Sequence, residues 1–232
     1  MITASDEIEA ADWLMGSLFP FHKYEAGSIV PPTYEAYARV LHPAQGPSGS
    51  VSWAEIANWS GRVYHSAMQF ERIATPIQGK GRSAKPWIDP AAYTLPMHQA
   101  KSLANLLASF TTTSDRVWYL VWDGHGDVPP TCRQRVRGWE RNYLLYRGAI
   151  GDIGGGRISE HHRDAPEYWF PDDKSWCVAT DMDLFWTYVG GSRACIDAVL
   201  NSPDLEAVPA TLHDGLTIES DVVNRPSDEE QS

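Results

Sequence analysis

The sequence is short of three things: cysteine, long hydrophobic runs and positive charge. Its 232 residues hold three cysteines without a CxxC spacing, which argues against a disulfide framework and a zinc knuckle. No run of 18 apolar residues occurs, so no transmembrane helix is expected. Acids stand near the N-terminus, where a signal peptide would carry cations. We therefore expect a cytoplasmic protein without membrane contact, whose Cys132, Cys177 and Cys195 are reduced and mostly buried.

The deficit in positive charge is confined to the two ends of the chain. Nineteen Lys and Arg face 30 Asp and Glu, giving a formal charge of −11. Residues 1–12 carry −4 and residues 204–232 carry −7, whereas the 191 residues between them balance 18 charges of each sign. This distribution argues against a globally basic nucleic-acid binder and a basic membrane-surface protein. A chain lacking both ends would be formally neutral.

What the sequence has in quantity is apolar and aromatic side chains. Hydrophobic residues make up 43% of the chain, and 10 residues are Trp, which is enough to bury a substantial core. Helical patterns concentrate in the first half and strand patterns in the second. We predict one α+β domain over 1–223, in which a helix-rich N-terminal half packs on a mainly antiparallel sheet from the C-terminal half. Residues 224–232 are predicted to be a disordered acidic tail.

Local patterns place the individual elements. Apolar groups spaced three and four residues apart predict amphipathic helices, and aromatic or β-branched runs predict strands. The predicted helices begin at Thr3, at Tyr34 (ending at His42-Pro43), at the Ser52/Glu55 capping box (ending at Gly61), at Met97 and at Ser192. The predicted strands are Val117–Trp122, Tyr143–Tyr146, Trp176–Met182, Phe185–Val189 and an edge strand, Leu216–Ile218.

Two carboxylates form the densest candidate site. In a strand, Asp181 and Asp183 share one face about 6–7 Å apart, close enough to share a metal or to act as general acid and base. Arg39 and His42 lie three residues apart near the end of the predicted second helix, where they could hold an anion or cap the last carbonyls. Folding could bring these four residues into one ligand-binding pocket. The simpler interpretation is that Asp181 and Asp183 are solvated or paired with Arg.

A cluster of arginines offers a second, separate site. Four guanidinium groups fall within nine residues, with Trp139 among them, and such a patch could bind phosphate and stack a base. The alternative is a surface segment neutralised by the protein's own acids. The four residues are Arg133, Arg135, Arg137 and Arg141.

Other patterns carry less chemistry. His161-His162 offers metal-ligand types in a long loop, but adjacent histidines do not easily reach one ion. Gly154-Gly155-Gly156 lacks the spacing of a phosphate loop. Asp123-Gly124-His125-Gly126 is predicted to be a turn with an exposed histidine. Neither a metal site nor a cofactor site is predicted.

Three segments carry a resemblance to known proteins. They are residues 34–43 with Trp53-Ala54-Glu55, residues 121–124, and residues 176–181 with 186–191. Over about residues 25–224 the chain resembles a protein family of high-GC Gram-positive bacteria and their phages that has no assigned activity. The helix start Pro32, Tyr34, Tyr37 is similar to SUKH-type immunity proteins. His42-Pro43 departs from that pattern, which has an Asn-Gly turn at this place.

We expect a binding or interaction protein rather than an enzyme, one that neutralises a basic protein partner such as a toxin. This expectation rests on acidity and on the lack of a complete catalytic motif, because acidic surfaces steer basic partners. The alternatives are an enzyme or metal-dependent ligand binder using Asp181, Asp183, Arg39 and His42, and a nucleic-acid-binding module using Arg133 to Arg141.

Overall fold

The computed structural model describes residues 2–77, 84–90, 94–125, 133–139, 141–155 and 165–226. These residues contain eleven strands: β1 Thr3–Ser5, β2 Ala36–Leu41, β3 Ala44–Gly46, β4 Gly49–Val51, β5 Val117–Trp122, β6 Val136–Arg137, β7 Asn142–Gly148, β8 Tyr168–Pro171, β9 Trp176–Thr180, β10 Trp186–Gly191 and β11 Ala207–Ala210.

Nine of these strands form one sheet in which every pairing is antiparallel. Eight lie side by side in the order β1-β7-β5-β8-β9-β10-β2-β11, while β6 pairs with β7. The remaining two, β3 and β4, make a separate hairpin.

Helices cover both faces of the sheet. They are α1 Asp12–Ser17, α2 Trp53–Ser60, α3 Phe70–Ile73, α4 Met97–Leu107 and α5 Arg193–Leu200. Helices α1, α2 and α3 pack against one hydrophobic core, which we call the front core, and α4 and α5 pack against a second, the back core. This architecture confirms the predicted α+β class and mainly antiparallel sheet. Within the described residues, no helix is long and apolar enough to cross a bilayer.

The predicted second helix is wrong, because residues 36–41 form strand β2 in the middle of the sheet. Ala38 and Val40 face the back core, whereas Tyr37 and Leu41 face the front core. Both faces are buried, so the apolar residues show no polar alternation that would indicate a strand. Their spacing matched a helix by coincidence.

Further differences concern short strands. Thr3–Ser5 is strand β1, and helix α1 begins only at Asp12 after a 3-10 turn. Strand β8 lies within residues 151–175, a Gly- and Pro-rich stretch in which we predicted no strand. The sheet edge is formed by β11, not by Leu216–Ile218.

Local signals were reliable where side-chain chemistry determines the geometry. The Ser52/Glu55 capping box is formed in both directions, and Gly61 ends α2 in the left-handed region at φ 76°. Ser192 caps α5 by accepting a hydrogen bond from the Cys195 amide. Helix α4 and strands β5, β7, β9 and β10 lie where the sequence predicts them, within a few residues. Cys177 and Cys195 are buried free thiols, whereas Cys132 lies outside the described residues.

Both acidic ends are part of this fold. Asp221 is buried and contacts His65 and the Gln69 amide, and Asn224 is buried and pairs with both backbone groups of Val63. Asn224, the first residue of the predicted tail, therefore packs against the folded chain. The rest of the predicted tail, residues 227–232, lies outside the described residues.

The edge strand β11 lacks one outward hydrogen-bond donor. The Leu41 amide donates to the Glu206 carbonyl at 2.8 Å, and antiparallel alternation then directs the backbone groups of Ala207 and Pro209 away from β2. Pro209 is exposed and has no N–H. Proline at an edge opposes pairing with another strand.

Candidate functional site

Asp181 and Asp183 share one counter-ion. Asp181 immediately follows β9 and Arg141 immediately precedes β7, so both lie at the same end of the sheet. Arg141 Nη1 donates to Asp181 Oδ2, and its Nη2 donates to Asp183 Oδ2 at 2.9 Å. The structure thus brings together one residue of the predicted arginine cluster and both predicted carboxylates.

The two carboxylates differ in environment. Asp181 is 6% exposed and accepts a 3.0 Å hydrogen bond from the Asp183 amide, whereas the Asp183 side chain is 73% exposed. Burial raises the pKa of Asp181, although Arg141 acts in the opposite direction. Burial also opposes the charge on Arg141, but the nearby carboxylates outweigh it and raise the Arg141 pKa. Asp181 and Arg141 therefore form a buried ion pair, and Asp183 is the exposed acidic neighbour of that pair.

A groove runs past these residues on the front face of the sheet. Its narrow part has room for about 30 Å³, and its wide part has a volume of about 360 Å³. Phe21, Ile29 and Asp181 line both parts, so the two parts are adjacent. The narrow part is also lined by Met15, Leu18, Ser28, Gly138, Trp139, Arg141, Tyr143 and Tyr168, and the wide part by Tyr24, Asp183, Leu184, Leu216 and Thr217. We call this surface the aromatic groove.

Each part of the aromatic groove is lined by one strongly exposed aromatic side chain. Trp139 is 60% exposed in the narrow part and Tyr24 is 51% exposed in the wide part. Among the described residues, the only other strongly exposed aromatic side chain is Tyr64. The Gly138 amide donates to the Arg141 carbonyl at 2.8 Å, which closes the turn that carries Trp139. A Cβ at Gly138 would lie 3.0 Å from that carbonyl oxygen, so this turn favours glycine.

Arg39 lies inside the front core instead of at a helix end. Its Nη1 and Nη2 donate to the carbonyls of Ser66 and Met68 at 3.0 and 2.9 Å. Its guanidinium lies 4.0 Å from the ring centre of Trp186. Burial lowers the Arg39 pKa, and within the described part of the chain Arg39 has no ion pair. It therefore anchors the backbone at residues 66–68.

His42 lies on the back face of the sheet and is fully buried. Its Nε2 lies 2.9 Å from the Thr187 hydroxyl, which in turn lies 2.7 Å from the Thr180 hydroxyl. Arg39 and His42 line neither part of the aromatic groove. The structure does not bring the four predicted ligand residues into one pocket; it brings together only Asp181 and Asp183.

A second arginine of the cluster pairs with an acid of this protein through its side chain. Arg135 Nε donates to Asp123 Oδ2 at 3.2 Å, and the Arg133 amide donates to Asp6 Oδ1 at 3.1 Å. Arg137 is exposed on β6. These contacts favour the neutralised-surface interpretation over the nucleic-acid interpretation, which stays a prediction.

A second polar pair, Glu167 and His125, was not predicted from any sequence pattern. Glu167 is buried and accepts hydrogen bonds from His125 Nε2 at 2.7 Å and the Trp122 amide at 2.9 Å. His125 is held in this pair, contrary to the expected exposed turn. Among the described residues, no group of three His, Cys, Asp or Glu side chains could hold a metal. His161 and His162 lie outside those residues.

Comparisons of the chain with protein-family models, with curated proteins and with solved structures each found no match.

Proposed function

We propose that this protein binds a basic protein partner through the aromatic groove and neutralises it. The observation that carries the proposal is that two exposed aromatic side chains, Trp139 and Tyr24, line the same groove as the carboxylates of Asp181 and Asp183. Trp and Tyr are enriched among the residues that dominate protein interfaces, because they bury a large area at low entropic cost.

Charge supports a basic partner. Asp181 and Asp183 together carry two negative charges when ionised, and Arg141 compensates one of them. The whole chain carries a formal −11. Such a surface accelerates association with a positively charged protein and makes the rate depend on salt.

Selection from a random dodecapeptide library against the purified protein tests the proposal. We expect the selected peptides to be enriched in basic residues and to bind more weakly in about 0.5 M than in about 0.05 M salt. Trp139→Ala should weaken them about tenfold or more. Ile88→Ala is the matched control, since Ile88 is 74% exposed and does not line the groove.

Equal affinity of the peptides for Trp139→Ala and Ile88→Ala would contradict the groove as the binding surface. Peptides without basic enrichment that bind equally at both salt concentrations would contradict a basic partner. Both substitutions are at exposed positions, so the fold should be retained in each variant.

A further inference from the structure

We infer that the wide part of the aromatic groove is a pocket for a primary ammonium group on an aliphatic stem, supplied by a lysine side chain of the partner. The inference rests on the proposed function and names the group that anchors the partner. Three properties of the pocket carry it: its uncompensated charge, its apolar walls and the arrangement of its acceptor oxygens.

The pocket lining has a negative charge that no lining residue compensates. Eight residues line the wide part, and they include Asp181 and Asp183 but no Lys, Arg or His. Arg141 reaches both carboxylates from the narrow part, yet its single positive charge balances only one of them. A ligand with one positive charge would complete the neutralisation where the exposed Asp183 meets solvent.

The walls suit an alkyl chain. Phe21, Leu184 and Leu216 present apolar side chains to the wide part, and Tyr24 lies at the same part with half of its surface exposed. A volume of about 360 Å³ is near the lower end of ligand pockets and suits one long side chain. Lysine buries its methylene stem on such surfaces and keeps its charge at a polar end. A cation near the Tyr24 ring gains a further attraction.

The acceptors favour an ammonium over a guanidinium. Arg141 already uses Oδ2 of both carboxylates, and the Asp183 amide uses Oδ1 of Asp181. Among the described residues, Asp183 Oδ1 is the carboxylate oxygen of the pocket that accepts no hydrogen bond, and Thr217 in the lining offers a hydroxyl on a separate residue. A guanidinium fork is best matched by two coplanar oxygens of one carboxylate, whereas the three donors of an ammonium can turn towards separate acceptors.

The test uses Nα-acetyl-lysine methylamide as the probe in an NMR titration of the full chain, followed through the backbone amides of Asp183 and Thr217. The norleucine analogue keeps the stem without the charge, and the arginine analogue keeps the charge in a guanidinium. We expect saturable shifts with the lysine probe, about threefold weaker binding of the arginine probe and none of the norleucine probe. Asp183→Asn should weaken the lysine probe about fivefold, whereas Asp204→Asn, an exposed acid outside the groove, should leave it unchanged.

The ammonium pocket would be overturned if the lysine probe did not bind, if it bound no more tightly than the norleucine probe, or if the arginine probe bound more tightly. It would also be overturned if Asp183→Asn left the affinity for the lysine probe unchanged. These outcomes are separate from the test of the proposed function, which depends on Trp139 and on the selected peptides. Peptides that need Trp139, together with a lysine probe that does not bind, would leave the protein-binding groove standing and remove the lysine anchor.

Discussion

Replacing Arg141 by Met tests whether its guanidinium is what stabilises the buried carboxylate of Asp181. Met keeps an apolar stem but removes the ion pair, and Asp181 is only 6% exposed. Removing one partner of a buried pair costs about 3–5 kcal/mol. Asp181 keeps its hydrogen bond from the Asp183 amide, so we expect a loss of about 2–3 kcal/mol at pH 7. The exposed Asp183 contact adds less than about 1 kcal/mol.

The cost of Arg141→Met should depend on pH in a defined direction. Burial places the pKa of Asp181 above its ordinary value of 3.8, and the loss of Arg141 raises it further. A carboxyl with a raised pKa in the folded state stabilises the fold below the unfolded pKa, and this contribution is lost as pH rises through the folded pKa. The deficit of the variant should therefore shrink as pH falls from about 7 to about 4.5.

Urea denaturation at both pH values measures the free energies of unfolding. Adding Asp181→Asn to Arg141→Met should raise the free energy of unfolding at pH 7 by more than about 1 kcal/mol over that of Arg141→Met alone, because it removes the buried charge. An equal loss at both pH values, or a double variant whose cost is the sum of the two single costs, would refute the pairing argument.

Three further predictions concern the fold. Arg39→Ala should lower the free energy of unfolding by about 3–5 kcal/mol in urea, because two carbonyls lose their donor and a cavity opens; a loss below about 1 kcal/mol would count against the anchoring role. At Asp173, burial opposes ionisation, but hydrogen bonds from Ser175 and Thr112 lower the pKa to about 2. The ionised Asp173 carboxylate should therefore stabilise the fold by about 2 kcal/mol before solvent screening and by about 1 kcal/mol after it. This contribution should be present above pH 3.8 and disappear towards pH 2. An Asp173→Ala deficit that does not shrink in acid would contradict this. Pro209→Thr should increase self-association in sedimentation velocity, since it restores an outward N–H at the sheet edge; unchanged sedimentation would show that Pro209 does not protect that edge.

Sequence patterns predicted the elements in which one face is exposed, or in which a specific side chain determines the end. Helix α4 alternates between core and solvent, and the α2 boundaries follow from Ser52 and Gly61. Strand β2 was not predicted, because both of its faces are buried and its sequence lacks the run of aromatic and β-branched residues that indicated β5, which is also buried on both faces.

The candidate site was predicted only in part, for a topological reason. We expected Asp181 and Asp183 on one face of a strand, whereas β9 ends at Thr180 and both residues lie in the turn that follows it. Their partner Arg141 is 40 residues away from Asp181 in the chain. That contact depends on strands β5 and β8 lying between β7 and β9, an order that no local pattern encodes. Likewise, composition cannot distinguish the exposed Trp139 from the buried Trp176.

The acidic ends of the chain cannot be separated from its folding. Strands β1 and β11 form the two borders of the sheet, and Glu206 accepts hydrogen bonds from the Trp53 and Ala54 amides at the start of α2. Deleting residues 1–12 and 204–232 to obtain a neutral chain would expose two long interior strands to other molecules and leave the start of α2 without that carboxylate. A neutral form of this protein has to be made by substituting individual carboxylates, and Glu206 has to be spared.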